Sequence, residues 1–209
     1  MAKFTPLRVT LPVLTFVLLA CWPAGADEVK QKPAAEAELA PPDCDYGSPH
    51  TNAPEELAQF DFLIGDYTVT GHAWLGTSWS PPRPGAPPSR WNGRYVLDGM
   101  AIEDDWYQAD PGIDADAPRG INVRMWDPEA GEWDMMWVDT VNNQVQDLRA
   151  KMIDGKLTMW QEYPERPGFR AYFERLGPDS WHRVTLAEDE NGEWTKQIRL
   201  LATRIPCPK

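Results

Sequence analysis

Cysteine, histidine and basic charge are all scarce in this chain. Among 209 residues there are three cysteines and three histidines, and 20 Lys and Arg face 32 Asp and Glu. The three cysteines, Cys21, Cys44 and Cys207, lack metal-ligand spacing, so a zinc site is not expected. His50, His72 and His182 are scattered, with no nucleophile elbow and no cysteine between Cys44 and Cys207, so no nucleophile–base–orienter set can be assembled. A formal charge of −12 repels nucleic acid and anionic lipid. No apolar stretch beyond the N-terminal leader could cross a bilayer as a helix. No internal repeat is visible, which argues against a propeller.

The N-terminus has the form of an export signal. Lys3 and Arg8 precede the apolar residues 9–20, a stretch too short for a permanent membrane helix. Pro23 then ends the helix, and Ala24-Gly25-Ala26 is a small-x-small cleavage site. Cleavage there removes residues 1–26. The competing reading takes Leu18-Leu19-Ala20-Cys21 as a lipobox, with Cys21 lipidated and anchoring the protein to a membrane. Both readings export the chain to the periplasm or beyond. Both leave Cys44 and Cys207 as an even pair on either side of the folded region, candidates for a disulfide in an oxidising compartment.

Residues 27–53 are rich in Ala, Pro and Glu and poor in large apolar side chains, so they read as a disordered arm. The folded unit, residues 54–206, opens with Pro54-Glu55-Glu56. Leu57, Phe60 and Leu63 follow at helical spacing, which predicts a short helix plugging a barrel end.

Ten β-type segments then follow one another, at residues 67–75, 91–97, 100–108, 121–127, 133–139, 144–150, 156–163, 169–176, 181–188 and 194–205. Asp98-Gly99, Pro128 to Gly131, Asp154-Gly155 and Asn191-Gly192 supply turn chemistry between them. The pattern predicts an all-β fold, a single antiparallel up-and-down barrel of about ten strands. Two long connections stand out. Residues 80–89 are Pro-rich, and residues 109–118 carry Asp110, Asp114 and Asp116. They read as solvated excursions or as a lid over a barrel mouth. The aspartates lack EF-hand spacing and a closing Glu, so calcium is not expected.

Three stretches carry a family resemblance: Phe60-Asp61-Phe62-Leu63-Ile64-Gly65-Asp66-Tyr67, the segment Tyr95 to Trp106 with Leu97-Asp98-Gly99-Met100, and Met125-Trp126-Asp127-Pro128 to Trp133. In these the chain resembles an uncharacterised bacterial calycin-like family, similar to lipocalins. The resemblance spans about residues 54–205. It implies an antiparallel barrel with an internal cavity, and no reaction. Calycins usually place Trp just after the Gly that opens the first strand, whereas here Tyr67 follows Gly65. The Gly-rich opening of haem-binding calycins is absent, so no cofactor is expected.

Strand alternation selects the candidate site. Ile102, Asp104 and Trp106 share one face, Arg124 and Trp126 a second, and Trp133, Met135, Trp137 and Asp139 a third. If these faces point inward they form one pocket wall, in which Asp104 and Arg124 neutralise each other and the Trp rings supply apolar surface. Ten tryptophans beyond the leader are too many for one small interior, so some must line a mouth or face water. The expected function is binding of a small apolar or amphiphilic ligand in that cavity. The alternatives are a cofactor-free enzyme using Asp104 as acid or base, and an interaction module of the cell envelope.

Overall fold

The computed structural model describes residues 44–84, 88–107 and 118–208. The leader, most of the arm and most of the Asp-bearing loop lie outside the described residues. Ten strands make up the fold: β1 Gly65–Ala73, β2 Ser89–Val96, β3 Ala101–Tyr107, β4 Gly120–Asp127, β5 Glu132–Asp139, β6 Gln144–Ile153, β7 Lys156–Tyr163, β8 Phe169–Gly177, β9 Ser180–Glu188 and β10 Trp194–Arg204. Each pairs antiparallel with its neighbour in sequence, and β10 returns to β1, so the sheet is a closed up-and-down barrel. The closing seam runs from Tyr67 opposite Arg204 to Ala73 opposite Ile198.

The plug differs from a regular helix. It is two consecutive 3₁₀ turns, Glu55–Gln59 and Asp61–Leu63. Leu57, Phe60 and Leu63 recur every third residue, and three residues per turn is the 3₁₀ period, which stacks all three on one side. All three are buried. Gln59 Oε1 accepts from Trp133 Nε1 at 3.0 Å. A side chain at Gly93 of β2 would collide with the Leu63 backbone carbonyl, so glycine there lets the plug sit against the wall.

The plugged end is aromatic. Phe60 meets Trp133 edge-on with centroids 4.8 Å apart and Phe173 at 5.4 Å, while Trp181 packs on Tyr67 at 5.7 Å and on Trp91 at 5.1 Å. Tyr67 of β1 is buried within this cluster. Its hydroxyl donates to the Phe62 carbonyl at 2.6 Å, and the Arg204 guanidinium lies 4.7 Å over its ring. Burial pushes the Tyr67 pKa up to about 12, against a smaller opposing pull from Arg204.

Cys44–Ala53, the last part of the segment read as an arm, lies against the barrel. Cys44 is disulfide-bonded to Cys207, with Cα atoms 5.9 Å apart. Tyr95 N–H donates to the Tyr46 carbonyl at 2.8 Å, and His50 N–H to the Gly99 carbonyl at 3.1 Å. The Tyr46 hydroxyl donates to Asp66 at 3.0 Å, and Asp66 is paired with Arg90 at 2.5 Å, both buried. Composition alone hides this anchoring, because the segment is held by backbone bonds and a covalent link rather than by large apolar side chains.

Candidate functional site

Above the plug, toward the end of the barrel from which the two long loops leave, is an internal cavity of about 370 Å³. Its apolar lining comes from Trp91, Trp106, Trp137, Phe169 and Phe173, with Leu148, Met159 and Leu200 between them. Its polar lining is Asn122, Gln144, Gln146, Thr185 and three arginines, Arg124, Arg166 and Arg183. No Asp or Glu stands among the described residues that line it.

Most of the sequence-selected side chains lie in the barrel interior. Ile102, Trp106, Trp126, Met135 and Trp137 belong to or pack against the interior cluster. Arg124 and Asp104 are fully buried and form an ion pair on the adjacent strands β3 and β4, one pleat apart in register. The Arg124 guanidinium also lies 5.0 Å over the Phe60 ring, so it rests on the plug and presents its other side to the cavity. Burial, reinforced by the nearby Arg183 charge, lowers its pKa to about 9. Asp104 does not reach the cavity surface. Met135, Trp126 and Ile102 are core rather than lining. Asp139 is occupied elsewhere: its carboxylate accepts from the Val141 and Asn142 backbone N–H groups at 2.8 and 3.2 Å, and from Asn142 Nδ2 at 2.6 Å. Burial would raise its pKa, but these bonds outweigh burial and hold it below the ordinary carboxylate value. It fixes the turn after β5.

The tryptophans divide as the packing requires. Trp91, Trp133 and Trp181 are buried, and Trp106, Trp126 and Trp137 pack against them from the same interior. A side chain at Gly120 would strike the Trp137 ring, so that glycine makes the space the indole fills. Trp74, Trp79, Trp160 and Trp194 are half-buried, each with a cation at its ring face: Lys196, Arg199, Lys151 and Arg170 respectively. His72 and His182 lie on strand faces opposite the interior. A His72 ring nitrogen is 2.7 Å from the Ser80 carbonyl, and His182 Nε2 is 3.0 Å from Glu174.

Sequence reasoning missed the far half of the cavity, above all Arg183. It shares its strand face with the buried Trp181, and that alternation was the available signal. An arginine on an alternating strand ordinarily reads as solvent-facing. The barrel wall also opens beside this half. Strands β7 and β8 pair only from Leu157 opposite Phe173 to Met159 opposite Ala171, leaving residues 160–163 and 169–170 unpaired across that seam. A more open depression of about 530 Å³ lies over the gap and shares Arg166 and Phe169 with the cavity. The Arg166 guanidinium sits 4.5 Å over the Phe169 ring.

Among the described residues, no group of His, Cys, Asp and Glu side chains is placed to hold a metal ion, and no helix is long and apolar enough to cross a membrane. No protein-family model matches the chain and no curated protein matches it. Among solved structures, it is similar to an S-type phycobiliprotein lyase, CPES, from Guillardia theta, at 11% identity and a TM-score of 0.44, covering 73% of this chain and 93% of that one.

Proposed function

We propose that this is an exported barrel protein that binds a small hydrophobic or amphiphilic molecule in its internal cavity. The observation that carries the reading is the cavity itself: an aromatic-walled space of about 370 Å³ with a few convergent polar groups, among them Arg124, which rests on Phe60 of the plug. The residues assigned to the site are Trp91, Trp106, Trp137, Phe169 and Phe173 as apolar wall, with Arg124, which Asp104 positions. Export rests on the leader at residues 1–26, with Cys21 lipidation as the alternative route, and accords with a disulfide between Cys44 and Cys207. Residues 54–206 form the binding domain, and residues 27–53 the arm that precedes it. Acid–base catalysis by Asp104 is disfavoured, since Asp104 is enclosed against Arg124 and no carboxylate lines the described cavity.

Native mass spectrometry of protein purified from its host without detergent tests this reading. The expected result is an adduct of small-molecule mass released on denaturation. Protein that is adduct-free from its host and takes up no apolar probe would refute it.

A further inference from the structure

The three cavity arginines are not equivalent. Arg124 has Asp104 as counter-ion. Arg166 stands at the rim, exposed, with Phe169 beneath it. Arg183 is in the middle of β9, its register neighbours are Phe173 on β8 and Leu200 on β10, and no ion-pair or hydrogen-bond partner reaches it among the described residues. It keeps accessible surface because that surface faces the cavity, although protein surrounds it. Burial, with Arg166 adding like charge, lowers its pKa to about 10, so it stays protonated near neutral pH.

A guanidinium held inside a barrel without a counter-ion is costly to keep, and apolar side chains would fill the same space at less cost. Here it persists in a strongly acidic protein, where 32 carboxylates are available and none in the described lining turns inward to meet it. Its free donors form a fork matched to the two oxygens of a carboxylate. The walls around it are aromatic and aliphatic, so only one end of the occupant needs to be charged.

We propose, resting on the cavity-binding reading above, that Arg183 receives the carboxylate of an anionic amphiphile whose apolar body lies along Trp91, Trp106 and Trp137. One unpaired interior guanidinium answers one negative charge. Arg166 at the rim extends the positive field along the route to it. The head group lies at Arg183, and the body lies against the three indoles that share the cavity with it.

Tryptophan-fluorescence titration of the delipidated, disulfide-bonded protein with laurate, dodecanol and dodecylammonium varies the head group on a constant chain. Laurate is expected to bind roughly 10- to 100-fold more tightly than dodecanol, the range for a hydrogen-bonded charge pair. Dodecylammonium should bind more weakly than either. Arg183→Gln should bring the laurate-to-dodecanol ratio close to one, and Arg183→Lys should restore part of it. Ligand-free Arg183→Met should melt at a higher temperature than the parent, because an uncompensated interior charge is gone. Equal affinity for laurate and dodecanol, or preference for dodecylammonium, overturns the anionic-ligand inference and leaves the cavity reading standing. Full laurate preference in Arg183→Gln, or failure of that variant to fold, overturns the assignment to Arg183. Binding of none of the three probes overturns the cavity reading along with it.

Discussion

Arg124 and Asp104 are joined across two strands and enclosed on all sides, with the Phe60 ring under the guanidinium. The worth of such a pair shows when one member is removed. Arg124→Met should destabilise the protein by about 3–5 kcal/mol, because it strands a buried carboxylate. Adding Asp104→Asn should recover part of that loss, and chemical denaturation of the four proteins in the double-mutant cycle measures the coupling. Tyr67 gives a pH-dependent counterpart. Its folded pKa of about 12 lies above the ordinary 10.0, so the native state favours the neutral phenol. Its stabilising contribution is complete below pH 10 and is lost as pH rises through about 12. Tyr67→Phe should flatten that alkaline fall by up to about 2–3 kcal/mol, read from denaturant midpoints between pH 9 and 12. The Asp104–Arg124 pair was legible because period-two alternation places both on facing surfaces. Arg183 was missed because an arginine on an alternating strand ordinarily reads as solvent-facing, even though it shares its strand face with Trp181.

The hairpin between β2 and β3 shows how an element's position can be readable while its turn is not. The sequence signal was Asp98-Gly99. The structure places the tight turn one residue earlier: Leu97 and Asp98 both have positive φ, 52° and 58°, and Gly99 N–H donates to the Val96 carbonyl at 3.0 Å. Two positive φ values at the central positions match the twist of the flanking strands. Gly99, also at positive φ, is free of a side chain where the backbone of residues 48–50 crosses it closely. Its glycine therefore serves a contact with the anchored arm, which sequence does not reveal. Leu97 is left in the left-handed region and mostly exposed. Leu97→Asn should raise stability by about 1 kcal/mol, since Asn tolerates that conformation and Leu does not. An unchanged or lower melting temperature would contradict this. The turn at Asp154-Gly155 fell where sequence put it, with φ of 50° and 75°. The plug was legible as an apolar spacing but not as 3₁₀ geometry, because i, i+3, i+6 fits both helix types over so short a run.

At the scale of the whole barrel, the order of strands was the part sequence expressed most completely, since every connection joins sequence neighbours and short turns dictate antiparallel pairing. Among the described strands, β10 on β1 is the one pairing between strands that are not sequence neighbours, and it brings the two ends of the domain together. The Cys44–Cys207 bond acts at that seam, spanning 163 positions of sequence. A cross-link that closes so much chain restricts the unfolded state far more than the folded one. The folded ends are also held without it. Tyr46 reaches Asp66 on β1, the Ile205 N–H donates to the Asp66 carbonyl at 2.8 Å, and Arg204 donates to the Ile64 carbonyl at 2.9 Å. These contacts should keep the termini adjacent in the reduced protein, so that the barrel survives and the loss falls on stability. The double variant Cys44→Ser with Cys207→Ser should therefore retain the native near-ultraviolet spectrum of its buried tryptophans at room temperature. Its unfolding free energy should drop by about 2–5 kcal/mol, with an unchanged denaturant m-value if the unfolded ensemble stays equally compact and a larger one if the bridge had restrained it. A larger m-value identifies the unfolded chain as the state on which the bridge acts. Loss of the near-ultraviolet spectrum on reduction would instead show that the seam contacts cannot hold the barrel closed alone.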